Sequence, residues 1–126
     1  MNKRILVIED DRILRKACET SLSKRGFALL TASNGEEGIR QAEEHLPDLI
    51  LLDMRMPKLT GAETLVALKK NEKTRAIPVL ILSNSSSEAS MQKAETLGAA
   101  GYLVKASMSL RELGDAIAEF LARSAE

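Results

Sequence analysis

Five short apolar runs alternate with amphipathic stretches along the chain. The runs cover residues 5–8, 27–32, 49–52, 79–82 and 102–104, and most of them show no alternation of apolar and polar positions. Such unbroken runs are typical of parallel strands that are buried on both faces. Between the runs, apolar residues recur at spacings of three and four, as they do along one face of a helix. The pattern therefore predicts five strands alternating with five helices in an α/β fold.

The predicted helices carry start signals and apolar faces. Four starts have the spacing of a capping box, in which a polar side chain caps the helix and a glutamate bonds back to it. These pairs are Asn34 with Glu37, Thr60 with Glu63, Ser85 with Glu88, and Ser109 with Glu112. The apolar face of the first helix comprises Ile13, Leu14, Ala17, Cys18, Ser21 and Leu22.

The alternation of strands and helices predicts a five-stranded parallel sheet with right-handed crossovers and helices on two faces. We predict the flavodoxin-like strand order 2-1-3-4-5. In this winding the order reverses between the first and third strands, and ligands bind beyond the carboxyl ends of the strands at that point. Chemistry is therefore expected at the ends of the first and third strands.

Composition narrows the class of protein. The 126 residues suit one domain, 1–126, with no output domain after the fifth helix. Eighteen basic and eighteen acidic residues cancel, which argues against a dedicated nucleic-acid binder. The single cysteine excludes an internal disulfide and favours a reducing, cytoplasmic setting. No apolar run approaches the roughly 20 residues of a membrane span, so no membrane partner is expected.

Side chains suited to phosphoryl transfer follow the predicted strands. Glu9 and Asp10 follow the first strand, Asp53 the third, Ser83 the fourth and Lys105 the fifth. We expect Asp10 and Asp53 to lie a few ångströms apart, where carboxylates repel one another unless a hard cation such as Mg²⁺ intervenes. Lys105 and Ser83 suit phosphoryl oxygens, so Asp53 has the surroundings of a phosphate-accepting nucleophile.

Four segments together resemble the response-regulator receiver domain: residues 5–11, residues 51–57 with 60–61, residues 82–83 and residues 102–105. The resemblance covers essentially the whole chain. It implies a signalling switch that accepts a phosphoryl group from a histidine kinase or phosphotransfer protein, with Mg²⁺ or Mn²⁺. Such a domain is not an enzyme in the ordinary sense, because it catalyses only its own aspartate phosphorylation and dephosphorylation.

The resemblance also implies roles for individual residues. Glu9, Asp10 and Asp53 would hold the metal together with the backbone carbonyl of Arg55, and Asp53 would be the phosphoacceptor. Lys105 would contact the phosphoryl group. Ser83 and Tyr102 would form the switch pair: Ser83 turns towards the phosphoryl oxygens and Tyr102 moves inward. The face of the fourth helix, fifth strand and fifth helix would then change shape for an unidentified output domain or protein, or for a phosphorylation-linked dimer.

Three further positions bear on the lifetime of the phosphorylated state. Arg55 and Ser85 lie two residues beyond Asp53 and Ser83, where side chains can overhang the phosphoryl group, and Asn84 adds bulk beside them. We predict that these residues restrict the hydrolytic water and prolong the phosphorylated state.

Three other functions compete with the switch as explanations of these residues. A pseudo-receiver would use the same fold as a docking module without phosphorylation, and Ser83 or Tyr102 could be an ordinary loop hydroxyl or strand aromatic. A phosphohydrolase of the haloacid-dehalogenase type needs a second aspartate two residues after the nucleophile, where this chain has Arg55. A Rossmann nucleotide binder needs a glycine-rich first turn, whereas residues 9–12 are charged.

The chain departs from the usual receiver pattern at several positions. Ala106 replaces the proline that commonly follows the lysine, and we predict a trans peptide at 105–106, because a cis bond before alanine costs about 2.5–4 kcal/mol. Lys105 should still reach the carboxylates. Gly38 and Gly114 fall in predicted helices, where each costs roughly 1 kcal/mol relative to alanine.

Overall fold

The computed structural model describes residues 3–56 and 59–124, and within these ranges the chain forms five strands and five α-helices. The strands are β1 (Arg4–Ile8), β2 (Ala28–Ala32), β3 (Leu49–Asp53), β4 (Val79–Ser83) and β5 (Gly101–Val104). The helices are α1 (Arg12–Ser23), α2 (Gly35–His45), α3 (Gly61–Lys70), α4 (Glu88–Thr96) and α5 (Leu110–Ser124). Pro57, part of the motif after the third strand, lies outside the described residues.

All strand pairs are parallel, and their order is β2-β1-β3-β4-β5, which confirms the predicted fold. A short 3-10 turn, Lys105–Ser107, joins β5 to the segment before α5. Among the described residues, no helix has both the length and the apolar character needed to cross a membrane.

The core consists of two layers, one on each face of the sheet, because successive strand residues point to opposite faces. Leu6 and Ile8 of β1 face α2, α3 and α4, in a cluster that also contains Ala42, Leu65 and Ala94. Ile5 and Val7 face α1 and α5, in a cluster with Cys18, Leu22, Leu113 and Ile117. The central strands β3 and β4 are buried throughout, as their unbroken apolar runs predict.

The predicted apolar face of α1 is wrong at Ile13. This side chain is 82% exposed, whereas Cys18 and Leu22 are buried and Leu14 is half-buried. The buried line follows residues 14, 18 and 22 at a spacing of four. Each residue turns about 100° around the helix axis, so Ile13 projects to the side of that line.

Three of the four predicted helix caps form. Both reciprocal bonds of the capping box are present in two of the pairs, Thr60 with Glu63 and Ser109 with Glu112. Asn34 Oδ1 accepts from the Glu37 amide at 2.8 Å, but the Glu37 carboxylate bonds the amide of Ser33 instead. The capping-box spacing therefore predicts where these three helices begin. In α2 the glutamate accepts from the amide of Ser33 and not from that of the cap residue.

The predicted cap at Ser85 is wrong. The helix α4 begins at Glu88, and its cap is Ser87, whose hydroxyl accepts from the Ser90 amide at 3.1 Å. The hydroxyl of Ser85 instead lies within hydrogen-bond distance of the hydroxyls of Ser87 and Ser90. In this serine-rich segment several residues can cap, and the one next to the helix does so.

Gly38 and Gly114, the two glycines within predicted helices, each make room for a packed side chain. A Cβ at Gly38 would lie 2.8 Å from Cγ1 of the buried Ile8, so the glycine lets α2 approach β1. A Cβ at Gly114 would meet the guanidinium of Arg25, which pairs with Asp115 at 2.7 Å. The low helix propensity of glycine is thus offset by close packing at these two positions.

Candidate functional site

The register of the central strands brings three carboxylates together. Ile8 of β1 pairs with Leu52 of β3, so Glu9 and Asp53 emerge side by side at the carboxyl end of the sheet. Their side chains are 2% and 3% exposed, whereas Asp10 is exposed in the following loop. Carboxylate oxygens of all three residues lie within 4.8 Å of one another, which confirms the expected proximity of Asp10 and Asp53.

Lys105 completes the charged cluster from the end of β5, the edge strand that pairs with β4. Its Nζ lies 3.0 Å from Asp53 Oδ1 and 3.2 Å from Glu9 Oε1, as the sequence predicts. No cis peptide occurs among the described residues, so the bond at 105–106 is trans and that prediction is confirmed. The long lysine stem therefore reaches the acids without a Lys-Pro bond.

The close packing of the cluster shifts the pKa values of Glu9 and Lys105. Burial, together with the adjoining carboxyl group of Asp53, raises the pKa of Glu9 to about 7. Burial lowers the pKa of Lys105, but the carboxyl groups of Asp53 and Glu9 outweigh it, so that its net pKa is raised. The cluster thus keeps a charged amine beside two acids, one of which readily retains a proton at neutral pH.

The donor set fits a hard divalent cation. Three carboxylates converge, and the buried Oε1 of Glu9 accepts no hydrogen bond from any described group. The Nζ of Lys105 lies 3.2 Å from that oxygen. Mg²⁺ takes oxygen ligands, uses few carboxylates and retains several waters, so a cleft open to solvent on the Asp10 side suits it.

Ser83 and Tyr102 meet at the loop between β4 and α4. The hydroxyl of Ser83, at the buried end of β4, accepts from the Ser85 amide at 3.1 Å. The hydroxyl of Tyr102 donates to the Ser85 carbonyl at 2.9 Å, and its half-buried ring packs against the core. Ser85 thus joins the two residues that the receiver resemblance assigns to the switch pair.

A cleft of about 550 Å³ contains the charged cluster. Arg55 and Asn84 are both exposed at its edge, and the half-buried Ser85 also lines it. The Ser85 hydroxyl is engaged with other serines, so this residue contributes to the wall of the cleft. Asp11, which also lines the cleft, caps α1 by accepting from the amides of Ile13 and Leu14.

Two residues that support the site were missed by sequence reasoning. A Cβ at Gly61 would lie 2.6 Å from the carbonyl oxygen of Asp53, so the glycine allows α3 to start against the end of β3. The Thr60-Gly61 motif signals this residue but not its role. Arg15 of α1 donates a hydrogen bond to the Glu9 carbonyl at 2.8 Å, and no sequence motif marks it.

Comparison with known proteins places this geometry in a family. Residues 5–118 match the Response regulator receiver domain. The chain belongs to this family. Its strand order and helices match those of the receiver structures described below, and the match includes every strand end that forms the charged cluster.

The chain matches about half the length of one transcriptional regulator and most of the length of a shorter protein. The chain is 36% identical over 124 residues to the alkaline phosphatase synthesis transcriptional regulatory protein PhoP of Bacillus subtilis, covering 98% of this chain and 50% of PhoP. It is 34% identical over 102 residues to protein PilH of Pseudomonas aeruginosa, covering 81% of this chain and 84% of PilH. The chain therefore spans about half the length of the transcriptional regulator.

Solved receiver structures superpose closely. Chemotaxis protein CheY4 of Vibrio cholerae has a TM-score of 0.88 at 26% identity, covering 94% of this chain and 98% of CheY4. The phosphorylated cyanobacterial phytochrome response regulator RcpA has a TM-score of 0.84 at 28% identity, covering 100% of this chain and 98% of RcpA. One structural neighbour was thus solved in a phosphorylated form.

Proposed function

We propose that this receiver domain is a phosphorylation-controlled switch whose phosphoacceptor is Asp53 and whose donor is a histidine kinase or a phosphotransfer protein. The observation that carries the proposal is the charged cluster: Lys105 lies 3.0 Å from Asp53 Oδ1, and two further acids converge on the same point in an open cleft. A nucleophile, an ammonium group and a metal-binding acid set are the parts that phosphoryl transfer requires.

In the proposed reaction, a carboxylate oxygen of Asp53 attacks the phosphorus atom of a phosphohistidine. The new O–P bond forms as the N–P bond breaks, and the imidazole nitrogen leaves with the electron pair. Lys105 binds a phosphoryl oxygen and holds it against Asp53. Glu9, Asp10 and Asp53, with the backbone carbonyl of Arg55, would hold Mg²⁺ or Mn²⁺, which when bound neutralises charge on the phosphoryl oxygens.

The phosphorylated state would end when water attacks the phosphorus atom and the O–P bond to Asp53 breaks, which returns the carboxylate and releases phosphate. Arg55, Asn84 and Ser85 line the edge of the cleft, where they can restrict the approach of that water. Arg55 and Asn84 are exposed, so the site stays accessible to a donor while their side chains narrow the path of water to the acyl phosphate.

The output of the switch would arise from Ser83 and Tyr102. A Ser83 hydroxyl that turns towards new phosphoryl oxygens gives up its bond with the Ser85 amide, and Ser85 also holds the Tyr102 hydroxyl. The loop before α4 would then rearrange and change the face formed by α4, β5 and α5, as expected of a two-state element biased by a local charge. An output domain, another protein or a second copy would recognise that face.

This chain has a surface beside the cleft on which the phosphoryl donor would dock. An open groove of about 950 Å³ runs along α1, and Asp11 lines both the groove and the cleft. Ile13 and Leu110 expose apolar surface in the groove, and the basic residue Lys16 also lines it. A partner that presents a phosphohistidine to Asp53 can bury Ile13, so Ile13→Lys should slow transfer from such a partner and leave transfer from acetyl phosphate unchanged.

The alternatives are less well supported. A pseudo-receiver without phosphorylation would not need Lys105 held against two buried acids, and a dehalogenase-type phosphohydrolase lacks its second aspartate because Arg55 stands there. The family and the single buried cysteine, Cys18, are consistent with a cytoplasmic location.

The proposal is tested by incubating the chain with acetyl phosphate and Mg²⁺ and measuring the intact mass. We expect one added phosphoryl group in the wild type, none in Asp53→Asn, and none when the metal is chelated. An unmodified wild type under conditions that phosphorylate another receiver would favour the pseudo-receiver instead.

A further inference from the structure

Arg15 bonds three successive carbonyl groups of the acidic loop, defined here as residues 9–11. Its backbone amide donates to the Asp11 carbonyl at 2.8 Å. Its guanidinium Nη1 donates to the Glu9 carbonyl at 2.8 Å and reaches the Asp10 carbonyl at 3.4 Å. One residue of α1 therefore contacts every main-chain carbonyl of the loop that carries two of the three clustered acids.

The hydrogen bonds of the Arg15 guanidinium go to main-chain carbonyl groups. Arg15 is half-buried, and none of the ion pairs among the described residues involves it. A surface arginine more commonly pairs with a carboxylate or extends into water. A charge-assisted bond to a carbonyl is stronger than a neutral one, so this contact can restrain the loop.

Asp10 depends on this contact more than its neighbours do. The Glu9 amide is held by the Ala32 carbonyl at 3.0 Å, and the Asp11 side chain caps α1. For Asp10, by contrast, the hydrogen bonds found within residues 3–56 and 59–124 comprise only the long one from Arg15. The loop backbone that Arg15 holds therefore sets the point from which the exposed carboxylate of Asp10 reaches the cluster.

We propose that Arg15 is a positioning residue, which fixes the main chain of the acidic loop so that the carboxylates of Glu9 and Asp10 converge with that of Asp53 on a divalent cation. The inference rests on the proposed function, because it concerns the same site. Groups that orient metal ligands from outside the first shell commonly change metal affinity by 10–100-fold when removed. The Arg15 guanidinium, a charged donor to the carbonyls of Glu9 and Asp10, is such a group.

The test is a Mg²⁺ titration of the full chain, followed by calorimetry and by the amide signals of Asp10 and Asp11. We expect Arg15→Ala to raise the Kd about tenfold, the lower end of the range for such groups, and Arg15→Lys to fall between it and the wild type. The matched control is Arg12→Ala, which removes an equal charge from the exposed start of the same helix. It should change the Kd by less than about twofold, because exposed charges are screened.

These measurements distinguish a displaced acidic loop from the mere loss of a positive charge and from a loss of folding. Before any metal is added, Arg15→Ala should shift the amide signals of Asp10 and Asp11, and Arg12→Ala should leave that of Asp10 in place. A wild-type Kd in Arg15→Ala, or an equal loss in both alanine variants, would overturn the inference. If Arg15→Ala does not fold, the lysine variant decides: a Kd above that of the wild type supports positioning, and a wild-type Kd overturns it.

The outcome also distinguishes this inference from the function on which it rests. If the wild type binds Mg²⁺ and takes up a phosphoryl group while Arg15→Ala binds the metal equally well, only the positioning role fails. If the wild type neither binds Mg²⁺ nor takes up a phosphoryl group, the proposed function fails and the inference fails with it.

Discussion

The two sides of the cleft are built in different ways. The charged side consists of Glu9, Asp10, Asp53 and Lys105, and two of its acids are almost completely buried at strand ends. The serine loop, residues 83–87, forms the other side and leaves Asn84, Ser86 and Ser87 exposed. The hydroxyls of Ser85 and Ser87 are joined to each other and to that of Ser90 by bonds of 2.8–3.2 Å.

The two sides of the cleft therefore differ in how readily they can change conformation. Strand ends in a sheet that is buried on both faces can move only if the core moves, so the charged side is a rigid frame. Each hydrogen bond of the serine loop contributes about 0.5–1.5 kcal/mol, so the loop can change conformation at modest cost. We therefore propose that phosphoryl transfer takes place at the charged side and that the serine loop changes conformation, and four changes test that division.

The largest effect is expected at Lys105. Lys105→Met keeps the length of the side chain but removes the ammonium that lies 3.0 Å from Asp53. Loss of one charged donor to the reacting group should slow phosphorylation by acetyl phosphate about a hundredfold, as measured by intact mass over time.

The control for this variant is Lys70→Met, an exposed position at the end of α3. It should react at the wild-type rate. An equally slow Lys70→Met, or a Lys105→Met that keeps the wild-type rate, would show that the ammonium at the charged side does not assist the transfer.

Gly38→Ala tests the rigidity of the frame. Helix propensity alone predicts a gain of about 1 kcal/mol, but the added methyl group would press on Ile8, which is fully buried directly before Glu9. We expect a loss of about 2 kcal/mol in the free energy of unfolding, measured in urea. The control Arg40→Ala, exposed on the same helix, should stay within about 0.5 kcal/mol, and a stabilised Gly38→Ala would contradict the rigid frame.

Ser87→Ala tests the loop. It removes the cap of α4 and part of the hydroxyl network, and should cost about 1 kcal/mol of stability. The affinity for Mg²⁺ should not change, because the charged side does not depend on this serine. Ser86→Ala is the control, since Ser86 is exposed in the same loop and accepts no bond in the network. A Ser87→Ala variant with weakened Mg²⁺ binding would break the division between the two sides.

The smallest effect is expected at the edge of the cleft. Removing the two long exposed side chains in the double variant Arg55→Ala, Asn84→Ala should shorten the lifetime of the phosphorylated state about threefold, corresponding to less than 1 kcal/mol in the barrier. Decay is followed by the loss of the phosphoryl mass after the donor is removed. Decay in the double variant that is as slow as in the wild type would show that these side chains do not restrict water.

The sequence predicts the charged side better than the serine loop. Five unbroken apolar runs determine a parallel sheet, and the sheet then determines where Glu9, Asp53 and Lys105 emerge. In the serine loop, Ser85 has capping-box spacing, yet Ser87 caps the helix. Neighbouring serine hydroxyls can cap a helix equally well, so the spacing alone does not decide between them.

Tertiary contacts account for the other differences. Gly38 and Gly114 are unfavourable in a helix considered alone, and only the positions of Ile8 and Arg25 show why glycine is accommodated there. Ile13 has the spacing of a buried face, but the line of contact with the sheet runs beside it. Such contacts join residues far apart in the chain, and periodicity along one element does not reveal them.

The central claim is that Asp53 carries the phosphoryl group. After incubation with acetyl phosphate and Mg²⁺, reduction with borohydride converts an aspartyl phosphate to homoserine, and peptide mass spectrometry locates it. We predict homoserine at position 53 alone, dependent on Mg²⁺ and absent without acetyl phosphate. Homoserine at another aspartate, or an unmodified position 53 in a protein that has gained the phosphoryl mass, would contradict the account.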